Sequence, residues 1–128
     1  MDLNQVTVPC IDYEASVAFY KALGLTQIVD SPPRYARFET PTGATLSLHS
    51  VDVLAESTGV TIYFEVKDVD QRVRELEAEG LIFDTRPVDQ RWLWREAYVR
   101  DPAGNAICIF NAGENRRYPP WRISASDS

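Results

Sequence analysis

The chain has 128 residues, of which 45% are hydrophobic and 25% charged, and its formal net charge at pH 7 is −6. This length allows one domain with a real core, and the composition is typical of a globular protein. The negative charge disfavours a nucleic-acid partner, because no basic stripe is present to displace counterions from phosphates. The opening residues do not resemble a secretory signal, and no apolar run is long enough to span a bilayer, so we expect a cytoplasmic protein without a membrane partner.

The first half of the chain predicts a strand, a helix and three further strands. Val6 and Val8 alternate with polar neighbours, which is typical of a half-buried strand. Asp12 suits the N-cap of a helix whose apolar residues recur at helical spacing, and Gly24 is a residue type that often ends helices. Three strands are predicted near residues 25–30, 35–40 and 44–50, with a Pro- and Gly-containing turn at 41–43.

The second half repeats this order. A shift of 56 residues superposes Asp12 on Asp68 and Gly24 on Gly80, and a shift of 61 superposes the turn 41–43 on the turn 102–104. The corresponding strands are predicted near residues 62–66, 82–85, 94–100 and 106–110. The change of shift indicates about five extra residues in the second copy, within 86–92.

The repeat predicts an α+β fold. We expect two tandem βαβββ modules that form a cupped eight-stranded mixed sheet with the helices on its outer face. Module one covers about residues 3–50, a linker covers 51–59, module two covers about 60–110, and a tail covers 111–128, all within a single domain. Cys10 and Cys108 are too few for a disulfide scaffold, and we expect both to be small buried hydrophobic residues.

The two faces of the predicted strands differ in composition. Alternate residues are apolar and should face the helices, whereas the opposite set is polar and aromatic and contains no Lys. A face of this kind is typical of ligand binding, although a sheet face that only meets water is the alternative. The candidate ligand-binding residues are Gln5, Tyr35, Arg37, Ser47, His49, Thr61, Tyr63, Glu65, Trp94, Glu96, Tyr98, Cys108 and Phe110.

Two motifs carry a family resemblance. They are Asp12-x-x-x-Ser16-x-x-Phe19-Tyr20-x-x-Leu23-Gly24-Leu25 and Asp101-Pro102-Ala103-Gly104-Asn105. Set in paired βαβββ modules, they resemble the vicinal oxygen chelate superfamily, which includes glyoxalase I, extradiol dioxygenases, fosfomycin resistance enzymes and bleomycin resistance proteins. The segments 92–96 and 112–122 resemble small bacterial glyoxalase-like members. The resemblance covers residues 3–110 and implies the fold, but the superfamily hosts many activities on one scaffold.

The resemblance also locates the expected metal centre. In the metalloenzymes of the superfamily, side chains from four strands hold a divalent cation, and those positions correspond to Gln5, Ser47, Thr61 and Cys108. The shift of 56 relates Gln5 to Thr61, and the shift of 61 relates Ser47 to Cys108. The metalloenzymes have His, Gln or Glu there, whereas hydroxyls are poor ligands for transition metals. We therefore expect no metal or other cofactor. A divalent metal at a shifted site that uses His49, Glu65 or Glu96 is the alternative.

Three functions stay open. The first is a metal-independent protein of the glyoxalase/bleomycin resistance type, which binds a planar or aromatic compound in the sheet cleft. Glu65 and Glu96 would meet cationic groups and Arg37 an acidic one, so the charge of the ligand is undecided. The alternative is a divalent-metal-dependent lyase, isomerase or dioxygenase of the same superfamily. The third is an interaction module that uses its aromatic surface and the tail residues 118–121.

Two further expectations apply to all three functions. No catalytic residue is assigned, because the sequence contains neither a recognisable nucleophile elbow nor a glycine-rich phosphate loop. A homodimer is expected, because twofold pairing would cover exposed sheet edges and apolar surface. The sequence does not decide whether the modules pair within one chain or across the dimer.

Overall fold

The computed structural model describes residues 1–54 and 59–123. Its elements, in chain order, are β1 (Gln5–Cys10), α1 (Tyr13–Ala22), β2 (Thr26–Ser31), β3 (Tyr35–Glu39), β4 (Thr45–Ser50), β5 (Thr61–Glu65), α2 (Val69–Ala78), β6 (Val88–Asp89), β7 (Arg95–Arg100) and β8 (Ala106–Asn111), followed by a 3-10 turn at Gly113–Asn115. The βαβββ order occurs twice, which confirms the predicted α+β class and the tandem modules. Parts of the predicted linker and tail, residues 55–58 and 124–128, lie outside the described residues.

The chain divides into two compact units, each with one four-stranded sheet. Unit 1 consists of Met1–Thr61 with Arg100–Ala106, and unit 2 of Ile62–Val99 with Ile107–Ser128. The strand order is β1-β4-β3-β2 in the first sheet and β5-β8-β7-β6 in the second. In the first sheet β1 runs parallel to β4, whereas β3 runs antiparallel to both β4 and β2. Each sheet therefore places its first strand beside its last.

The core of unit 1 lies between α1 and one face of its sheet. Tyr20 of α1 is fully buried, and its ring centroid lies 5.8 Å from that of Phe38 on β3. The alternation predicted for these strands is present, since the apolar positions of β3 and β4 are buried: Ala36, Phe38, Leu46 and Leu48. Burial of these side chains is the main source of stability of the unit.

Both helices begin and end as the sequence predicts. The Asp12 carboxylate accepts a hydrogen bond from the backbone amide of the third helical residue at 3.1 Å, and Asp68 does the same at 3.0 Å. Gly24 has φ 99° and Gly80 has φ 101°, in the left-handed region that favours glycine. In each copy the two amides after the C-cap donate back into the last turn as a Schellman motif. The helix boundaries were therefore encoded locally.

The first strand after α2 is where the prediction was wrong. No strand spans residues 82–85; Phe83 alone forms a bridge with Val99, and the paired strand β6 follows at Val88–Asp89. The backbone amides of Asp84 and Thr85 both donate to the carbonyl of Tyr98, at 2.8 and 3.4 Å, so the alternating ladder is interrupted there. The predicted insertion at 86–92 contains β6 and the turn into β7.

In unit 2, α2 packs on the sheet and is tied to it by one arginine. Val69 and Val73 form a buried cluster with Ala97 on β7. Arg95 donates through Nε and Nη2 to the two carboxylate oxygens of Asp70 at 2.7 and 2.8 Å, and through Nη1 to Asp89 at 2.9 Å. The hydrogen bonds from Arg95 hold the pKa of Asp70 below its usual range. One guanidinium therefore connects α2, β6 and β7.

The cysteines and the helices bear on two further expectations from the sequence. Cys10 and Cys108 are both buried and unbonded to each other, as predicted for small hydrophobic residues. Among the helices of the described segments, none is both long and apolar enough to cross a bilayer.

Ser16 provides a test of the α1 packing. Its hydroxyl is fully buried and finds no hydrogen-bond partner among the described residues. Because a buried hydroxyl without a partner keeps its desolvation cost, Ser16→Ala should raise the free energy of unfolding by about 1 kcal/mol. Urea denaturation measures this difference. A loss of stability instead would show that the hydroxyl has a partner, and Ala15→Ser serves as a control on the same helix.

Candidate functional site

The predicted binding residues of unit 1 share one face of its sheet. Ser47 on β4 is paired with Arg37 on the neighbouring strand β3 and with Thr7 on the neighbouring strand β1. Tyr35 lies opposite His49, which is exposed and stands two residues beyond Ser47 on the same face. The strand pairing therefore brings these residues together as the period-two pattern predicted.

A hydrogen-bonded network connects four of these side chains. The Gln5 amide nitrogen donates to the Ser47 Oγ at 3.1 Å, and the same Oγ lies 2.6 Å from the Tyr35 hydroxyl. Arg37 Nε donates to the Tyr35 hydroxyl at 2.9 Å, with its guanidinium carbon 5.4 Å from the ring centroid. The hydrogen bonds from Ser47 and Arg37 lower the pKa of Tyr35. Ser47 is fully buried at the centre of this network, so its hydroxyl is already occupied.

Unit 2 carries an aromatic cluster on the predicted binding face. Trp94 and Phe110 are stacked, with centroids 4.8 Å apart and an interplanar angle of 24°. The Tyr63 ring contacts both edge-on, at 5.8 and 5.5 Å. Phe110 is 3% exposed, whereas Tyr63 is 46% exposed. We call these three residues the aromatic cluster. Tyr63 is its most exposed member.

A second group on this face centres on Glu96, which is 3% exposed. Its Oε2 accepts from the indole nitrogen of Trp92 at 3.1 Å, and its Oε1 from the Tyr98 hydroxyl at 3.3 Å. Burial and the hydrogen bond with Tyr63 raise the pKa of Tyr98. Burial, followed by the charge of Glu96, raises the pKa of the fully buried Cys108 thiol to about 12. The thiol is therefore a neutral packing group at neutral pH.

Glu65 has a structural role that the sequence did not predict. Its Oε2 accepts from the backbone amides of Ala112 and Gly113 at 2.8 and 2.9 Å, where the 3-10 turn begins. Arg116 Nε lies 3.8 Å from its other oxygen. The carboxylate thus holds the first part of the tail against β5.

One predicted binding residue, Thr61, lies where the chain passes from one unit to the other. Thr61 is half-buried at the start of β5 and belongs to unit 1, whereas the rest of that strand belongs to unit 2. An open depression does occur beside β2, lined by Lys21 and the strand residues 27–30, but it contains none of the predicted binding residues.

Sequence reasoning missed three contributors to the face of unit 2. Trp92 lies in the segment 92–96 that resembles other family members, and its indole nitrogen contacts Glu96. Asn115 accepts through its carbonyl from the Trp94 indole at 3.3 Å, so the tail fixes that ring. Leu93 has φ 72°, a left-handed conformation that is unfavourable for a side chain of this kind. The spacing Trp92-x-x-x-Glu96 was the available signal, although it becomes a contact only through the turn at 90–93.

Comparison with known proteins decides the family. The family model of the Glyoxalase/Bleomycin resistance protein/Dioxygenase superfamily matches residues 2–109. The chain belongs to this superfamily. It is also 32% identical over 127 residues to the uncharacterized protein YraH of Bacillus subtilis (strain 168), with 86% of this chain and 98% of YraH covered.

Solved structures show the same fold for this superfamily member. A glyoxalase/bleomycin resistance protein/dioxygenase from Nocardioides is 27% identical, with a TM-score of 0.76, over 97% of this chain and 90% of the other. A lactoylglutathione lyase from Agrobacterium tumefaciens is 20% identical, with a TM-score of 0.71, over 86% and 92% of the two chains. At that lower identity the likeness concerns the fold alone.

The residues at the metal positions of the superfamily do not fit a divalent cation. Ser47 and Thr61 offer neutral hydroxyls, and the Ser47 Oγ already bonds with Gln5 and Tyr35. The Gln5 carbonyl oxygen accepts from the Thr45 hydroxyl. In the described part of the chain, no three His, Cys, Asp or Glu side chains are grouped to hold a metal ion. The donors of unit 1 at these positions are therefore neutral, and Gln5 and Ser47 are already hydrogen-bonded.

Proposed function

We propose that this superfamily member is a metal-independent binding protein for a planar or aromatic small molecule. The observation that carries the proposal is the aromatic cluster of unit 2, in which the 46% exposed Tyr63 stands edge-on to two further rings. An exposed aromatic edge backed by fixed rings offers apolar contact area with little conformational freedom to lose. Superfamily membership is consistent with this function but does not select it among the activities of the fold.

The rigidity of the cluster supports the proposal. Trp94 is held by its stacking on Phe110 and by the hydrogen bond from its indole to Asn115. Phe110 is buried in a cluster with Cys108 and Ala112. A planar ligand that stacks on Tyr63 would therefore meet a surface whose geometry exists before binding, which limits the entropy lost on association.

Metal independence is proposed from the chemistry of the donors. A superfamily metal centre built on Ser47 and Thr61 would need hydroxyls to replace charged or imidazole ligands. The Ser47 oxygen would in addition have to give up its hydrogen bonds with Gln5 and Tyr35. Both requirements favour a face that binds organic compounds directly.

Tyr63→Ala is the variant that tests this function. Tryptophan fluorescence and thermal shift are recorded with a panel of aromatic compounds, and a compound that binds the wild-type protein is then titrated into the variant. Removal of the exposed ring should weaken binding by about tenfold, because an aromatic contact and its buried area contribute roughly 1.4 kcal/mol. Tyr118→Ala is the matched control, because Tyr118 is 58% exposed in the tail. Equal affinities for wild type and Tyr63→Ala would contradict the proposed site.

Elemental analysis of the same preparations tests metal independence. We expect substoichiometric metal and unchanged ligand affinity after treatment with a chelator. Stoichiometric metal that is needed for binding would favour the divalent-metal-dependent lyase, isomerase or dioxygenase. The homodimer and the cytoplasmic location expected from the sequence stay predictions, and light scattering at micromolar concentration checks the first of them.

A further inference from the structure

The Glu96 carboxyl group is buried without a cationic partner. It is 3% exposed, and none of the ion pairs in the described part of the chain includes it. Its two hydrogen bonds come from neutral donors, the Trp92 indole at 3.1 Å and the Tyr98 hydroxyl at 3.3 Å. A buried carboxylate normally has an ion-pair partner or several charge-assisted hydrogen bonds, because its desolvation is otherwise costly. Glu96 has neither.

Glu65 provides the contrast within the same unit. Its carboxylate accepts two backbone amides at 2.8 and 2.9 Å and has Arg116 at 3.8 Å, so it serves the fold of the tail. Glu96 has no comparable structural role: its partners are side chains, and both are on or beside its own strand. Of the two glutamates predicted for this face, Glu96 is the one that has neither a backbone partner nor an ion pair in the described part of the chain.

The group that covers Glu96 is held by a strained turn. Trp92 is 38% exposed and lies in the turn between β6 and β7, where Leu93 N donates to Gln90 O at 3.0 Å. Leu93 has φ 72° and is 48% exposed, so the turn keeps a left-handed conformation at a side chain that is largely in solvent. Because Trp92 is partly exposed, its side chain can change rotamer towards solvent, and this displacement of the indole would open the carboxyl group.

We propose that Glu96 is the recognition site for a positively charged nitrogen of the ligand, an ammonium or a similar organic cation that displaces the Trp92 indole. The proposal rests on the function proposed above and specifies the chemical class of the ligand. The cation would gain a charge-assisted hydrogen bond in a site of low exposure. The faces of Tyr98 and Trp94, on the same strand face as Glu96, supply the aromatic surface that cations favour.

Three probes that share a phenylethyl group test the inference: 2-phenylethylammonium, the neutral 2-phenylethanol and the anionic 3-phenylpropionate. Binding is measured by tryptophan fluorescence titration and by ligand-observed NMR saturation transfer. The ammonium should bind at least about tenfold more tightly than the alcohol, because it adds the attraction between opposite charges to its hydrogen bond with the carboxylate. In Glu96→Gln this preference should disappear, whereas Glu114→Gln, which removes an exposed charge in the 3-10 turn, should retain it.

The outcomes separate this inference from the proposed function. If all three probes bind equally and Tyr63→Ala weakens them all, the aromatic binding function stands and the cation site is wrong. If none of the probes and none of the aromatic panel binds, both are wrong. A preference for the ammonium that persists in Glu96→Gln would also overturn the assignment to Glu96.

Trp92→Phe provides a second variant in case Glu96→Gln fails to fold. It keeps a ring in the exposed turn but removes the indole nitrogen that occupies Glu96 Oε2. Because the competing donor is gone, the ammonium should bind as tightly as to the wild type or several-fold more tightly. If Trp92→Phe bound the ammonium no more tightly than the alcohol, the indole would be part of the site rather than its cover. The inference would then be overturned.

Discussion

Asp101→Ala is expected to lower the free energy of unfolding by about 3–5 kcal/mol, a large loss for a single polar substitution. Asp101 is 4% exposed and accepts four hydrogen bonds. Its Oδ2 accepts from the Tyr20 hydroxyl at 2.5 Å and from the Asn105 side-chain amide at 2.7 Å. Its Oδ1 accepts from the backbone amides of Ala103 and Asn105 at 3.0 and 2.9 Å. The alanine variant would leave these donors without their acceptor.

The size of the effect follows from where the donors are. The Tyr20 side chain is fully buried, and burial, followed by the charge of Asp101, raises the pKa of its hydroxyl. An unpaired hydroxyl at that position would keep its whole desolvation cost. Asn105 also donates through Nδ2 to the Pro9 carbonyl at 3.1 Å, so loss of the carboxylate would loosen a connection that reaches β1. A loss of 3–5 kcal/mol is a large share of a total stability of about 5–15 kcal/mol.

Urea denaturation of the single and double variants measures this network. Tyr20→Phe removes one donor and should cost about 1.5–2 kcal/mol. Because both substitutions remove the same hydrogen bond, Asp101→Ala combined with Tyr20→Phe should cost less than the sum of the two. Asp2→Ala is the control for loss of an exposed aspartate, and it should change stability by less than about 0.5 kcal/mol. If Asp101→Ala costs no more than this control, the carboxylate does not organise the turn.

The motif around Asp101 shows what sequence could and could not predict about the fold. The turn at 101–104 was predicted from its Pro and Gly, since turn chemistry is local. The bond between Tyr20 and Asp101 joins residues 81 positions apart, and no local pattern encodes it. Helix caps are predicted for the same reason as turns, because they depend on neighbouring residues. The strand predicted at 82–85 is reduced to a single bridge at Phe83, because strand pairing depends on residues distant in sequence.

The candidate site shows the same difference between what local sequence encodes and what packing decides. The period-two rule correctly assigned Ser47, Tyr35 and Arg37 to one face, because side-chain alternation is a property of the strand itself. It could not show that Phe110 would be buried by its neighbours while Tyr63 stayed open, since this depends on how the tail packs. The sequence therefore predicts the members of the face, and packing decides which of them stay exposed.

Phe110→Ala is the second substitution expected to have a large effect. Phe110 is 3% exposed, stacks on Trp94 at 4.8 Å and packs with Cys108 and Ala112. Loss of the ring should lower the free energy of unfolding by about 3–5 kcal/mol, because the transfer free energy and the cost of a cavity add. Phe110→Leu, which fills most of the space, should cost less than about 2 kcal/mol. Urea denaturation and near-ultraviolet circular dichroism measure the stability and the packing of the rings.

Comparison of Phe110→Ala with Tyr63→Ala distinguishes a residue that supports the binding surface from a residue that contacts the ligand. Tyr63 is 46% exposed, so its removal should cost under about 2 kcal/mol of stability while it weakens binding of the aromatic ligand. Phe110 is covered and should act on binding only through the position of Trp94, so Phe110→Leu should retain most of the affinity that Phe110→Ala loses. Should Tyr63→Ala instead destabilise the protein as much as Phe110→Ala does, the Tyr63 ring would be part of the core. The open edge of the aromatic cluster would then not be a binding surface.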